Sequence, residues 1–364
     1  MDVQAEELGE SQAPLLMAPS GQGIADAYIV KMKDSAEARS VAALAGVSPR
    51  HVYSSLNGFA ATLTPAQLTA LRRDPNVEYV EQDAVMRPLA TQSNPPWGLD
   101  RIDQASLPLS LSYTYSSTAS NVTAYIIDTG IQANHVNFSG RATNVFDAFG
   151  GTGADCNGHG TAIAGIVGST TYGVAKGVKL RGVRVLDCNG SGTTSGVIAG
   201  VDWVRVNHLA PAVATLSLGG AASAALNTAV TNLSNAGVFI AVPAGDSNSN
   251  ACNFSPAGAT AATTVAATDK NDCKTASSNH GTCVDLYAPG ALIPTTWSNG
   301  GTMTLGGTST AAAHVTGVGA LYKATYGNAA SATVDLWIKN TAIAGVVCNN
   351  PVGTPNRLLN KGAL

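Results

Sequence analysis

From residue 98 onward the chain carries short, continuous apolar runs: VTAYIID (122–128), KLRGVRVL (179–186), AVATLSL (212–218), VFIAVPAG (238–245) and TTVAAT (263–268). Runs that do not alternate apolar with polar mark strands buried on both faces, as in parallel sheets. Between several of them lie helical stretches, SGVIAGVDWVRVNH (195–208) and AALNTAVTNLSNAG (224–237), the second closing on Gly237, a natural residue just past a helix end. Alternating strand and helix predicts an α/β domain with a doubly wound, mostly parallel sheet. Active sites of such sheets lie beyond the C-terminal ends of the strands, where Asp128 and Asp246 both fall.

Residues 27–88 read differently. AYIVKMK is a strand and SAEARSVAAL a helix; HVYSSLNGFAATLT is two strands around an Asn-Gly turn. PAQLTALRRD opens a helix on Pro, and VEYVEQDAVM alternates as a strand. This β-α-β-β-α-β order predicts a small α+β, ferredoxin-like domain with a four-stranded sheet. RPLATQSNPPW (87–97) reads as an exposed linker, and residues 1–26 as an acidic, disordered leader without the basic and apolar regions of a signal peptide.

Only 12% of the residues are charged, 45% are hydrophobic and the net charge is −3. With no basic block, nucleic acid is not an expected partner. No apolar run approaches the roughly 18 residues that mark a spanning helix. The six cysteines all follow residue 150 and form no CxxC pair. An even number in such a chain points to disulfides and an oxidising compartment rather than zinc, with fifteen possible connectivities.

Three segments carry chemistry. Asp128 ends an apolar strand in IIDTGI, His159 sits where a Gly-flanked turn opens a helix in NGHGTAIAG, and Ser309 sits where a Gly-rich turn enters an Ala-rich helix in GTSTAAAHVTG. A serine there has the first-turn N–H groups beside its hydroxyl, suited to a developing oxyanion. It needs a base and an orienting acid, and Asp, His, Ser is one of the orders in which this triad occurs.

These motifs, with SLGG (217–220) and PAGD (243–246), resemble the subtilisin-like serine peptidases. The segments 96–104, 172–204 and PNRLL (355–359) are similar to the proteinase K and aqualysin branch. The resemblance implies a secreted, monomeric endopeptidase acting on polypeptides. In it Asp128, His159 and Ser309 form the triad, and residues 27–89 are an inhibitory propeptide cut from the catalytic domain 90–364 at Leu89–Ala90. It also implies that substrate adds a strand between Gly190-Ser191-Gly192 and Ser217-Leu218-Gly219, with Ala244 and Gly245 lining the pocket for the side chain before the scissile bond. Bridges Cys156–Cys188 and Cys252–Cys283 follow from it too, as does calcium on Asp285 with the carbonyls near Thr260 and Ala262. Cys273 and Cys348 have no counterpart, and a third bridge or two free thiols are both open.

The chain departs from the pattern at four places. Asp246 stands where the family has an oxyanion-donating Asn, Ala162 where it has His, Thr310 where it has Met and Ala313 where it has Pro. A carboxylate only accepts hydrogen bonds. Two rival readings therefore stand beside the peptidase, a peptide-binding pseudoprotease and an acyl transferase. Of the other histidines, His314 reads as a packed residue, His51 falls in the propeptide-like region, and His135, His208 and His280 read as surface or loop residues.

Overall fold

In the computed structural model the apolar runs pair side by side, and the structure describes residues 12–18, 23–86 and 90–364. Nine strands form one sheet in the order Ile343–Ala344, Arg357–Leu358, Leu286–Pro289, Thr263–Thr268, Phe239–Pro243, Ala212–Leu216, Thr123–Asp128, Lys179–Arg184 and Ala142–Asp147. All neighbours are parallel except the first pair.

Burial explains why these runs do not alternate. Ala124 and Ile126 enter one apolar cluster, with Ile163, Ile166, Ala312 and Val315 from the helices His159–Gly168 and Thr308–Tyr326. Tyr125 and Ile127 enter the other, with Val197, Val201, Leu226 and Val230 from the helices Thr194–Asn207 and Ala224–Asn235. Each fully buried aliphatic side chain contributes about 1.5–3 kcal/mol by leaving water. Both faces of the central strand are thus core, whereas Lys179–Arg184, nearer the edge, keeps Arg181 only half-buried, its guanidinium donating to the Arg141 and Leu180 carbonyls.

The winding fixes where the site lies. Thr123–Asp128 is flanked by Lys179–Arg184 and Ala212–Leu216. From Thr123–Asp128 the chain passes to the edge strand Ala142–Asp147, returns to Lys179–Arg184 beside it, and then crosses to the other side at Ala212–Leu216. The crevice at such a reversal opens beyond the strand's C-terminal end, and the residue at that end is Asp128.

Contacts divide the chain into two units, Met1–Arg87 and Pro88–Leu364. The first has the predicted element order: strand Gly23–Met32, helix Ala38–Leu44, strands His51–Tyr53 and Gly58–Thr62, helix Pro65–Arg73 and strand Val77–Ala84. Thr64 and Gln67 form a reciprocal capping box at the start of the second helix. Two expectations fail here. The sheet has five strands, because Leu15–Leu16 pairs parallel with Val80–Glu81. The leader is therefore ordered at 12–18 and 23–26. Ala13 and Leu15 reach that unit's apolar cluster, and Ala13 exchanges hydrogen bonds with Arg72. The rest of the leader, 1–11 and 19–22, lies outside the described residues. The linker is also shorter than expected, since Ala90–Ser93 pairs antiparallel with Ser112–Tyr115.

Candidate active site

Asp128 is fully buried and accepts from the Thr129 N–H at 2.7 Å. His159 opens its helix after Gly158, whose φ of +116° and lack of room both call for glycine: a Cβ there would lie 2.4 Å from the Trp297 ring. His159 Nδ1 lies 2.9 Å from both carboxylate oxygens of Asp128. That contact places the proton on Nδ1 and leaves Nε2 free to accept one. The turn before it is held by Asp155, a residue the sequence reading passed over. Its carboxylate accepts from the N–H groups of Asn157, Gly158 and Thr161 and from the Thr129 and Thr161 hydroxyls. Burial pulls the His159 pKa down, but the Asp128 charge and hydrogen bond, with Asp155 behind them, outweigh it and the net shift is upward from 6.5. With 32% of the side chain exposed, water weakens the burial effect and the neighbouring carboxylate dominates.

Ser309 is the second residue of the helix Thr308–Tyr326. Gly307 before it has φ +132°, and a Cβ there would come within 3.2 Å of Asp246 Oδ2. The Ser309 hydroxyl donates to the Ser217 carbonyl at 3.2 Å and not to His159. The structure thus joins Asp128 to His159 and Ser309 to the Ser217 segment.

Position 246 is occupied in an unforeseen way. Asp246 accepts the Thr308 N–H on both oxygens, at 3.0 and 3.2 Å, and the Thr308 hydroxyl at 2.9 Å. That hydroxyl in turn accepts the Gly245 N–H. The carboxylate acts as a cap on the serine's helix.

Two adjoining cavities complete the site. One, of about 600 Å³, is lined by His159, Gly190, Ser191, Gly192, Ser217 and Leu218 among others. The other, of about 350 Å³, is lined by Ala244, Gly245, Asp246, Phe254 and Ser309. They share Leu218, Gly219, Gly220, Ala221 and Ser255. Residues 190–192 and 217–219 run along the first outside any sheet ladder. Every residue expected to hold substrate lines one cavity or the other.

Residues 119–362 match the model of the Subtilase family, and residues 27–88 that of Peptidase inhibitor I9. The chain belongs to the subtilase family. It is 48% identical over 359 residues to an extracellular serine proteinase of Thermus sp. (strain Rt41A), covering 97% of this chain and 85% of that one. It is 43% identical over 366 residues to Proteinase R of Parengyodontium album, covering 98% and 94%. The crystal structure of a cold adapted subtilisin-like serine proteinase superposes with a TM-score of 0.73 at 46% identity, over 75% of this chain and 99% of that one.

In this subtilase all six cysteines are paired: Cys156–Cys188, Cys252–Cys283 and Cys273–Cys348. The first bridge ties the turn before His159 to the loop before Gly190. Thr310 and Ala313, two of the departures, are buried in the serine's helix, and the Thr310 hydroxyl donates to the Gly307 carbonyl. Ala162 is buried as well.

His135 is not a surface residue. It is buried, its Nε2–H donates to the Gly301 carbonyl at 2.9 Å, and its Nδ1 accepts the Asn137 N–H. Its neighbourhood comes from residue 301, which local sequence does not reveal. His314 is packed as expected and donates from Nδ1 to the Thr310 carbonyl at 2.8 Å. Burial pushes its pKa down to about 4, against a smaller upward pull from that carbonyl. The unfolded chain therefore takes up a proton near pH 6.5 that the folded chain refuses until about 4. Stability is full above 6.5 and falls with pH toward 4, by about 3 kcal/mol from this group alone. Urea unfolding across that range should show the loss, and His314→Gln should flatten it by about one proton. An equal slope in both chains would refute the assignment.

Subtilisins commonly bind structural calcium, but the residues around Asp285 do not fit that ion. Thr260, Ala262 and Asp285 line a small cavity of about 130 Å³. Both carboxylate oxygens are already engaged, Oδ2 by the Thr264 N–H at 2.8 Å and Oδ1 by the Lys339 ammonium at 3.2 Å. Among the described residues no group of three or more His, Cys, Asp or Glu could hold a metal ion. A lone carboxylate already facing an ammonium is a poor ligand for a divalent cation that takes 6–8 oxygens.

Proposed function

We propose that this secreted subtilase is a serine endopeptidase in precursor form, with Ser309 as nucleophile, His159 as general base and acid, and Asp128 as orienting acid. The observation that carries this assignment is the hydrogen bond from His159 Nδ1 to both oxygens of buried Asp128, in a chain of this family. For attack the Ser309 hydroxyl must leave the Ser217 carbonyl and donate to Nε2 instead. Ser309 Oγ attacks the scissile carbonyl as its proton passes to His159 Nε2, and the imidazolium is stabilised by Asp128. The oxyanion meets the Ser309 N–H at the helix start. The proton then moves to the leaving amine, the C–N bond breaks, and water releases the acyl group by the reverse path.

Substrate extends between 190–192 and 217–219, with its side chain before the scissile bond in the cavity of Ala244 and Gly245. Residues 27–89 inhibit the enzyme until cleavage at Leu89–Ala90; Leu89 lies outside the described residues. Neither the pseudoprotease nor the transferase reading draws support from a specific observation.

The rate at which a fluorophosphonate labels Ser309 tests the assignment. The base must be unprotonated, and its pKa is raised. Labelling should therefore fall as pH drops through a value above 6.5, and Asp128→Asn should slow it and shift that inflection down. Label found on another residue, or a rate indifferent to pH and to Asp128→Asn, would end the proposal.

A further inference from the structure

We propose that the ammonium of Lys339 is the resident cation at Asp285, where the family resemblance leads one to expect calcium, and that this region of the chain is stabilised without metal. Lys339 lies on the helix Ser331–Thr341 and reaches two carboxylates. One is Asp335, a turn before it, at 2.5 Å, and the other is Asp285, far away in sequence, at 3.2 Å. The other oxygens of both are used. Asp335 Oδ1 accepts the Thr263 hydroxyl at 2.7 Å, and Asp285 Oδ2 accepts the Thr264 N–H.

The arrangement is a closed network. The helix is tied through Asp335 to Thr263 at the start of its strand, and Asp285 is tied to the next residue of that strand. Lys339 bridges the two acids, which would otherwise repel each other. All three side chains are about a quarter exposed, so the pairing is only partly screened by water. A calcium ion on Asp285 would have to displace the Thr264 N–H or accept an ammonium as its neighbour. A cation supplied by the chain leaves it no role.

Crystals of the full chain carrying Ser309→Ala, which prevents self-digestion, test this in calcium. An anomalous difference map should show no calcium bonded to Asp285. The same chain with Lys339→Met should show calcium there. Its melting temperature should drop in EDTA and rise by several degrees in calcium, and that rise should vanish when Asp285→Asn is added. In the Lys339-containing chain, Asp285→Asn should leave any response to calcium unchanged, a comparison that holds even if Lys339→Met folds poorly. Calcium bound to Asp285 beside an intact Lys339 would overturn the proposal. So would a Lys339→Met chain that neither binds calcium there nor gains calcium-dependent stability.

Discussion

Ser309→Ala should leave the precursor at full mass and reduce peptide hydrolysis by about 10⁶-fold, a value established on subtilisin and carried across to this relative. The wild-type chain should break at Leu89–Ala90, and mature wild-type enzyme added to the Ser309→Ala precursor should cut it at the same bond. The size of the loss follows from the division of labour. His159 and Asp128 remain coupled in the variant, but their proton transfer has no nucleophile to serve. The residual rate, about 10³–10⁴ above water, belongs to oxyanion stabilisation and substrate binding alone. In the structure the hydroxyl of Ser309 donates to Ser217 rather than His159, so its removal also takes one contact from a segment that lines the first cavity. That contact is a single neutral hydrogen bond, about 1 kcal/mol, and cannot account for six orders of magnitude. A Ser309→Ala chain that processes itself at the wild-type rate would place the nucleophile elsewhere.

The sheet was legible because its signal is local. A strand covered on both faces favours apolar residues throughout, and each of the five runs became a strand of the large sheet, the one with basic residues, Lys179–Arg184, being the one with exposed and half-buried positions. The start of the serine's helix was legible for a similar reason, since Gly307 and Ser309 answer to backbone geometry. What the sequence did not reveal is made by residues far apart along the chain. Asp155 carries no signal of its own in the sequence, because the five donors that converge on it come together only in the fold. Lys339 is an unremarkable residue of an amphipathic helix until the fold brings Asp285 beside it. Leu15 and Leu16 form too short a run to announce a strand, and they become one because a partner edge is ready beside Val80. Resemblance supplied the triad, and packing supplied the partners that tune it.

Asp246→Asn should raise kcat/KM by about 10²-fold, the reverse of the loss seen when the amide donor is removed from subtilisin, where that magnitude was established. The gain would come from a donor at a position where the chain has only acceptors, at the cost of one contact to Thr308. Asp246 caps the helix of Ser309 by accepting from the Thr308 N–H and hydroxyl. Both carboxylate oxygens now face the Thr308 N–H, so an asparagine keeps one acceptor for the cap and turns its NH₂, which cannot accept, away from that N–H and toward the oxyanion, supplying the donor that the carboxylate does not. The carboxylate offers the oxyanion no donor, and its charge opposes the charge that develops during attack. The control is Asp246→Ala. It removes the opposing charge but also the cap, at about 1 kcal/mol of stability, and it brings no donor. Rates ordered Asn, then Ala, then Asp would assign the deficit to both charge and donor, and Ala equal to Asp would assign it to the donor. No gain in Asn would mean that the oxyanion leans instead on the Ser309 N–H and the end of its helix, where Asp246 already sits as a tolerated neighbour of the reaction.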